Sequence, residues 1–131
     1  MIERVLLVEG ELFAVVGIRT RTGCSTTYDE FVEGLSPADR RKLDRAVRRL
    51  ADWGLPRNTQ KGRALKGCDN LYEIKEHGLR VVWFETRELT VNNRRIVVLT
   101  HGFKKKSRQT PAREIDRAQR LQAEYFETFG A

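Results

Sequence analysis

The sequence predicts an α+β fold: a twisted, mainly antiparallel sheet of four or five strands, two N-terminal helices packed on one face, and a C-terminal helix. Two patterns lead to this prediction. Short runs rich in aromatic and β-branched residues lie at 71–76, 79–85 and 95–101, which is typical of strands. Apolar residues recur at helical spacing in 37–53 and again after Pro111. With 131 residues, 40% of them hydrophobic, the chain is long enough for one domain with its own core.

The N-terminal segment predicts a β-hairpin and a short helix. Residues 2–8 and 12–19 are strand-like, and a Glu-Gly-Glu turn separates them. Thr26 or Thr27 can cap a short helix that ends near Gly34. We therefore expect a leading hairpin ahead of the helices.

A longer helix is predicted between Ser36, a suitable N-cap, and Gly54, with Pro37 at the first helical position. Its apolar stripe comprises Leu43, Ala46, Val47, Leu50 and Trp53. The opposite face is rich in arginine, and it either is solvated or meets ribosomal RNA or an acidic partner. The chain up to Gly54 has nine basic and nine acidic residues, and this balance favours the solvated interpretation.

The clearest local signal is a hairpin formed by residues 71–76 and 79–85 around a two-residue His-Gly loop. Because such a loop sets the register, Lys75 should lie opposite Arg80, with Glu73 on the same face. The apolar face should comprise Tyr72, Ile74, Val81 and Trp83. Like charges that face each other repel, so either a bound anion or solvent should accompany the lysine–arginine pair.

The chain around this hairpin supplies a loop, a buried strand and the last helix. Residues 57–67 are predicted to be a polar loop. Residues 95–101 are a nearly continuous aliphatic run, which suits a central strand buried on both faces, and they lead into a basic loop at 102–108. Thr110 is a suitable N-cap, with Pro111 at the first helical position. The apolar stripe of this helix comprises Ile115, Ala118, Gln122, Tyr125, Phe126 and Phe129.

The charge is distributed unevenly along the chain. The net charge is +7, and the whole excess lies after Gly54, where 16 basic residues accompany 9 acidic ones. This favours a polyanionic partner such as nucleic acid, with a solvated basic surface as the alternative. The two cysteines, Cys24 and Cys68, form no CxxC pair, which favours a reduced, cytoplasmic protein. We expect no signal sequence, no membrane span, no metal and no cofactor.

Three phrases in order along the chain carry a resemblance to a known family: LYEIK, GLRVVWF and, after the aliphatic strand, HGFKKKSRQTP with a helix behind it. In order and spacing they resemble the RelE/ParE superfamily of toxins from toxin–antitoxin systems, and most closely its phage-related, HigB-like branch, over residues 40–126. The resemblance implies a RelE-like fold. It also implies mRNA cleavage by basic residues in the LYxIK phrase, the GxR phrase and the loop after the last central strand.

Cleavage of RNA by its own ribose 2′-OH requires a group that takes the 2′ proton, cations that stabilise the phosphoryl oxygens, and a group that protonates the leaving 5′ oxygen. Arginine suits the second role. A lysine crowded by other cations suits an acid or base role, because crowding lowers its pKa. On crowding and resemblance together, the candidate catalytic residues are Lys75, Arg80, Lys104, Lys105 and His101. The candidate RNA-binding residues are Arg63, Lys66, Lys106 and Arg108.

Several of these residues have a second interpretation. His101 is either an acid/base group or a hydrogen-bonded structural histidine. Glu73 stands where RelE has a second lysine, and it either orients its basic neighbours, serves as a base or weakens catalysis. Trp83 and Phe84 either stack on a nucleobase or pack in the core, and the hairpin register favours the core for Trp83.

The leading hypothesis is the toxin of a type II toxin–antitoxin pair, a metal-independent and ribosome-dependent mRNA endoribonuclease. Its partners would be the ribosome, mRNA and an antitoxin of the helix-turn-helix type. One alternative is a ParE-like inhibitor of DNA gyrase on the same fold, without nuclease activity. Another is a phage-derived, non-catalytic nucleic-acid-binding module. The dense set of cations favours RNA cleavage over gyrase inhibition.

Overall fold

The computed structural model describes residues 2–20, 23–54, 62–106 and 109–130. These residues form a six-stranded sheet and three helices. The elements in chain order are β1 (Ile2–Glu9), β2 (Phe13–Thr20), α1 (Thr27–Glu33), α2 (Pro37–Trp53), β3 (Gly62–Ala64), β4 (Tyr72–Glu76), β5 (Leu79–Leu89), β6 (Arg95–Lys104) and α3 (Ala112–Phe129).

The spatial strand order is β1-β2-β6-β5-β4-β3, and every neighbouring pair is antiparallel except β2 and β6, which are parallel. The mixed α+β class is confirmed, whereas the prediction of four or five strands is wrong. The strand that the prediction missed is β3, which lies inside the stretch predicted to be a loop. Three residues are too few for a hydrophobic alternation, so pairing with β4 alone makes this segment a strand.

The register of the central hairpin is confirmed pair by pair. Lys75 pairs with Arg80, Ile74 with Val81, and the two pairs beyond them follow in the predicted order. His77 accommodates the tight loop with a φ of 55°, in the left-handed region. The hairpin therefore presents Lys75 and Arg80 side by side on one face of the sheet.

The helices cover both faces of the sheet. Helices α1 and α2 pack on one face, as predicted, against a core that includes Val15, Ile74, Val81, Trp83, Val97 and Leu99. Helix α3 packs on the other face, against a core that includes Val16, Val82, Phe84, Val98 and Phe103. Lys75 and Arg80 lie on this second, α3 face, because Arg80 alternates with Val81 and shares its side with Val82. That face is thus not open along its length, and the basic residues gather next to the chain that leads into α3.

Most of the predicted helix ends are confirmed. Thr26 caps α1 by accepting from the amide of Asp29 at 3.0 Å, and Ser36 caps α2 by accepting from the amide of Asp39 at 3.2 Å. Gly54 ends α2 with a φ of 73°.

Two predictions about the helices are wrong. Trp53 is 78% exposed, and Ala51 completes the buried stripe of α2 in its place. Thr110 does not cap α3; Pro111 occupies that position without a side-chain bond, because the Thr110 hydroxyl is used elsewhere.

A β-bulge in β6 changes which side chains reach each face. Trp83 pairs with Leu99, but the preceding residue, Val82, pairs with His101, so Thr100 is an extra residue in β6. Leu99 and His101 would share a face in a regular strand, but the bulge places them on opposite faces. Leu99 packs on the α1 and α2 side, and His101 points to the α3 side. Strand β6 also extends three residues further than predicted, to Lys104.

Candidate functional site

Four basic side chains surround one carboxylate at the β3–β4–β5 end of the α3 face. Arg63 of β3 pairs with Glu73 of β4, and Lys75, two residues further along β4, pairs with Arg80 of β5. Lys105, just beyond β6, joins them because its amide donates to the carbonyl of Gly78 in the hairpin loop at 2.7 Å. We call Arg63, Lys75, Arg80 and Lys105 the cationic cluster. It unites a residue from each of three strands with the start of the basic loop.

Glu73 lies at the centre of the cationic cluster and is fully buried, with 0% of its surface exposed. One carboxylate oxygen accepts a hydrogen bond from Arg63 Nε at 2.6 Å, and the same oxygen lies 3.8 Å from Arg80 Nε. The other oxygen accepts from the Thr110 hydroxyl at 3.0 Å. A buried carboxylate is tolerated only when such partners replace its water, so these contacts explain its presence here.

Arg80 is held by the backbone of its own hairpin. Its Nη1 donates to the carbonyl oxygens of His77 and Leu79, which directs the guanidinium across the loop. Burial and the nearby Arg63 lower the pKa of Arg80, and the charge of Glu73 opposes this shift. Its Nε atom is buried and, among the described residues, has no hydrogen-bond partner. Arg80 is therefore a partly desolvated cation facing a site that favours anions.

The position of Lys105 in the cationic cluster lowers its pKa. Partial burial lowers the pKa first, and the charges of Arg63, Arg80 and Lys75 lower it further, while Glu73 acts in the opposite direction. A larger fraction of the side chain is consequently neutral near physiological pH than for an ordinary lysine. A neutral amine can accept a proton, which a lysine ammonium cannot.

The other predicted basic residues lie outside the cationic cluster. Lys104 pairs with Leu79, whose side chain packs on the α1 and α2 side. Paired residues point to the same side, so Lys104 points to the α1 and α2 side, away from the cationic cluster. Lys106 is exposed just beyond the strand. Lys66 is exposed and lines, together with Arg63, a cavity of about 400 Å³ beside the cluster. Arg108 lies outside the described residues.

His101 is buried beneath the first turn of α3, with 1% of its surface exposed. Its Nε2 lies 3.1 Å from a carboxylate oxygen of Glu114, and its Nδ1 lies 3.1 Å from the hydroxyl of Thr100. Burial, and then the charge of Arg117, lower the pKa of His101 to about 4, although Glu114 acts against the shift. A neutral ring donates from Nε2 to Glu114, while the Thr100 hydroxyl beside Nδ1 donates its proton to the carbonyl of Val82 at 3.1 Å. These surroundings favour the structural interpretation of this residue.

The two aromatic residues that could stack on a nucleobase are both in the core. Trp83 packs on the α1 and α2 side, 4.8 Å from the ring of Tyr72, and Phe84 packs on the α3 side, 5.5 Å from Tyr125. The interpretation of Trp83 as a core residue is confirmed. Phe84 is equally closed to a base, because it is 0% exposed.

The described residues hold neither a candidate metal site nor a candidate membrane span. No cluster of three or more histidine, cysteine, aspartate or glutamate side chains there could hold a metal ion. In the same part of the chain, no helix is both long and apolar enough to cross a bilayer. Cys24 and Cys68 are both free thiols.

Sequence reasoning placed Arg63 among the RNA-binding residues and missed that it belongs to the centre of the site. It also missed Thr110 as a partner of Glu73. The available signal was the glutamate in the LYE phrase: on a face otherwise occupied by cations, its carboxylate needs basic and hydroxyl partners from neighbouring elements. Because β3 was not recognised as a strand, Arg63 could not be chosen as that partner.

Comparison with known proteins identifies the family of the chain. No curated protein matches the chain. The family model of the phage-derived Gp49-like proteins (DUF891) matches residues 30–123, which contain the whole cationic cluster. The HigB-like branch within the superfamily stays a prediction. The chain belongs to the Gp49-like family of phage-derived proteins, a family of the RelE-like toxin class.

Proposed function

We propose that the protein is the toxin of a type II toxin–antitoxin system and that it cleaves mRNA as a ribosome-dependent endoribonuclease. The observation that carries the proposal is the cationic cluster, in which a lysine of lowered pKa accompanies two arginines around a buried carboxylate. The membership of the chain in a RelE-like family supports it.

We assign the steps of cleavage to residues of the cationic cluster. Neutral Lys105 takes the proton of the ribose 2′-OH, and the 2′ oxygen attacks the adjacent phosphorus. Arg80 and Arg63 stabilise the charge that gathers on the phosphoryl oxygens, to which their planar guanidinium groups are suited. Lys75 donates a proton to the 5′ oxygen as the bond from phosphorus to that oxygen breaks. The products are a 2′,3′-cyclic phosphate and a 5′-hydroxyl end.

Dependence on the ribosome follows from what the cationic cluster lacks. The cluster binds phosphate oxygens and moves protons. Trp83 and Phe84 are buried in the core and cannot stack on a base, so no group of the cluster aligns the attacking oxygen with the phosphorus. Holding reactants in line accounts for a large part of enzymatic rate enhancement. We assign this alignment to ribosomal RNA and to the codon in the decoding site. We propose in addition that an antitoxin of the helix-turn-helix type binds and neutralises the protein.

Primer extension on a reporter mRNA tests this proposal, with and without translating ribosomes. The wild-type protein should cut only when ribosomes are present. Lys105→Ala should slow cutting by about 10²- to 10⁴-fold, which is the usual contribution of a general base. Lys104→Ala is the matched control: it removes an adjacent lysine from the opposite face and should leave the rate unchanged.

The outcome decides between function classes. Cutting that continues in Lys105→Ala at the wild-type rate refutes the assignment of the base. No cutting by the wild-type protein under either condition refutes the endoribonuclease, and a gyrase supercoiling assay then separates gyrase inhibition from plain nucleic-acid binding.

A further inference from the structure

Glu73, at the centre of the cationic cluster, performs no step of the proposed mechanism. Glu73 is fully buried, and both of its carboxylate oxygens accept hydrogen bonds. A general base must reach the proton that it abstracts, within about 3 Å or through one water. A carboxylate with no exposed surface and no unengaged oxygen does not meet this condition, so Glu73 does not act on the substrate directly.

The contacts of Glu73 connect every element around the site. Arg63 donates from Nε to Glu73 at 2.6 Å and from Nη2 to the Thr110 hydroxyl at 3.1 Å, and that hydroxyl donates to the second oxygen of Glu73. The three side chains thus form a closed ring that joins β3, β4 and the segment before α3. Arg80 Nε approaches the same carboxylate from β5 at 3.8 Å.

We infer that Glu73 is a positioning residue: it fixes the plane of the Arg63 guanidinium group toward the scissile phosphate. This inference rests on the proposed endoribonuclease function. Two of the three nitrogens of Arg63 are engaged by the ring, so the remaining edge of the guanidinium has one orientation. Charge-assisted hydrogen bonds of this length are strong and directional. Glu73 also reduces the mutual repulsion of four neighbouring cations without occupying the surface to which the phosphate binds.

A positioning role predicts opposite effects on binding and on chemistry. Replacing Glu73 by glutamine removes a negative charge from a cationic site, so RNA should bind equally well or more tightly. The same change weakens the hold on Arg63, so the chemical step should slow by about 10- to 100-fold, which is typical of a small misplacement of catalytic groups. A purely structural ion pair predicts a loss of binding and rate in proportion to the unfolded fraction. A purely electrostatic brake predicts faster cleavage.

The experiment compares Glu73→Gln with Glu76→Gln. Glu76 is the matched control because it is buried on the same strand and contacts an arginine, Arg49, at 3.4 Å, but on the opposite face. For both variants we would measure single-turnover cleavage on ribosomes and the affinity for an RNA made uncleavable by a 2′-deoxy substitution. Slower cleavage with preserved or tighter binding in Glu73→Gln alone supports the inference. Equal behaviour of the two variants overturns it.

An NMR measurement separates this inference from the proposed function. The Nε–H proton of Arg63 should give a downfield, slowly exchanging signal in the wild-type protein and in Glu76→Gln, because it donates to a carboxylate at 2.6 Å. In Glu73→Gln this signal should move upfield and exchange faster; an unchanged signal overturns the inference. If the wild-type protein does not cleave RNA, the proposed function and the catalytic part of the inference both fail, while the signal still decides whether Glu73 orients Arg63.

Discussion

Acidification should destabilise the fold through His101. The pKa of this imidazole is about 4 in the folded protein and about 6.5 in the unfolded chain, because burial disfavours the charged ring. Between these values the unfolded chain binds more protons than the folded protein, so the free energy of unfolding rises with pH in this window. The stabilisation is complete above pH 6.5 and is lost as the pH falls toward 4.

The magnitude follows from the two pKa values. Protonation of one such group between pH 7.5 and pH 5 lowers the free energy of unfolding by about 2 kcal/mol. That is a large part of the total stability of about 5–15 kcal/mol that is usual for a domain of this size. With a denaturant slope of about 2 kcal/mol per molar urea, the midpoint should fall by about 1 M. Asp52 also titrates differently in the fold, but its pKa is lowered from 3.8, so its contribution changes below this window.

Urea unfolding at pH 7.5 and pH 5, followed by the fluorescence of the buried Trp83, measures this effect. His101→Gln is the control, because glutamine can donate to Glu114 but does not titrate. The variant should lose about 2 kcal/mol less than the wild type over the same pH range. If the two proteins lose stability equally, the imidazole does not have the depressed pKa and His101 is not the buried neutral group described above.

Three further predictions follow from other parts of the structure. Because partial burial and the neighbouring cations lower the pKa of Lys105, cleavage should level off below pH 10.5, and a rate that still rises there would contradict the base assignment. Gly102→Ala should cost about 1–3 kcal/mol in urea unfolding, since an added Cβ would lie 2.2 Å from the ring of Phe31; an equal cost in a Phe31→Leu background would refute this contact. Trp53→Ala should change stability by less than about 0.5 kcal/mol, because the ring is exposed, whereas a loss of several kcal/mol would place it in a core.

Local patterns predicted the parts of the fold that local physics determines. The register of the central hairpin follows from its two-residue loop, and the caps at Thr26 and Ser36 follow from the unsatisfied amides of a helix N-terminus. The pairing of Lys75 with Arg80 was predictable for the same reason. Strand β3 was not predictable, because its three residues carry no strand pattern of their own and become a strand only through their pairing with β4.

The bulge at Thr100 explains why the basic loop was assigned less accurately than the hairpin. Without the extra residue, side chains would alternate regularly from Val98, and Lys104 would point to the α3 face. With it, the alternation is inverted, and Lys104 points away from the site. A single extra residue in a strand carries no distinct sequence pattern, so the choice between Lys104 and Lys105 required the structure.

The parallel pairing of β2 with β6 has a consequence for folding during synthesis. Phe13 pairs with Arg95, so the leading hairpin waits for a neighbour about 80 residues later in the chain. At a synthesis rate of about 5–20 residues per second, that delay is roughly 4 to 16 s. During this interval the apolar edge of β2 has no strand to pair with, and such an edge is a template for aggregation. The nascent chain should therefore bind chaperones most strongly before β6 has been synthesised, and ribosome pausing upstream of residue 95 should lower the yield of folded protein.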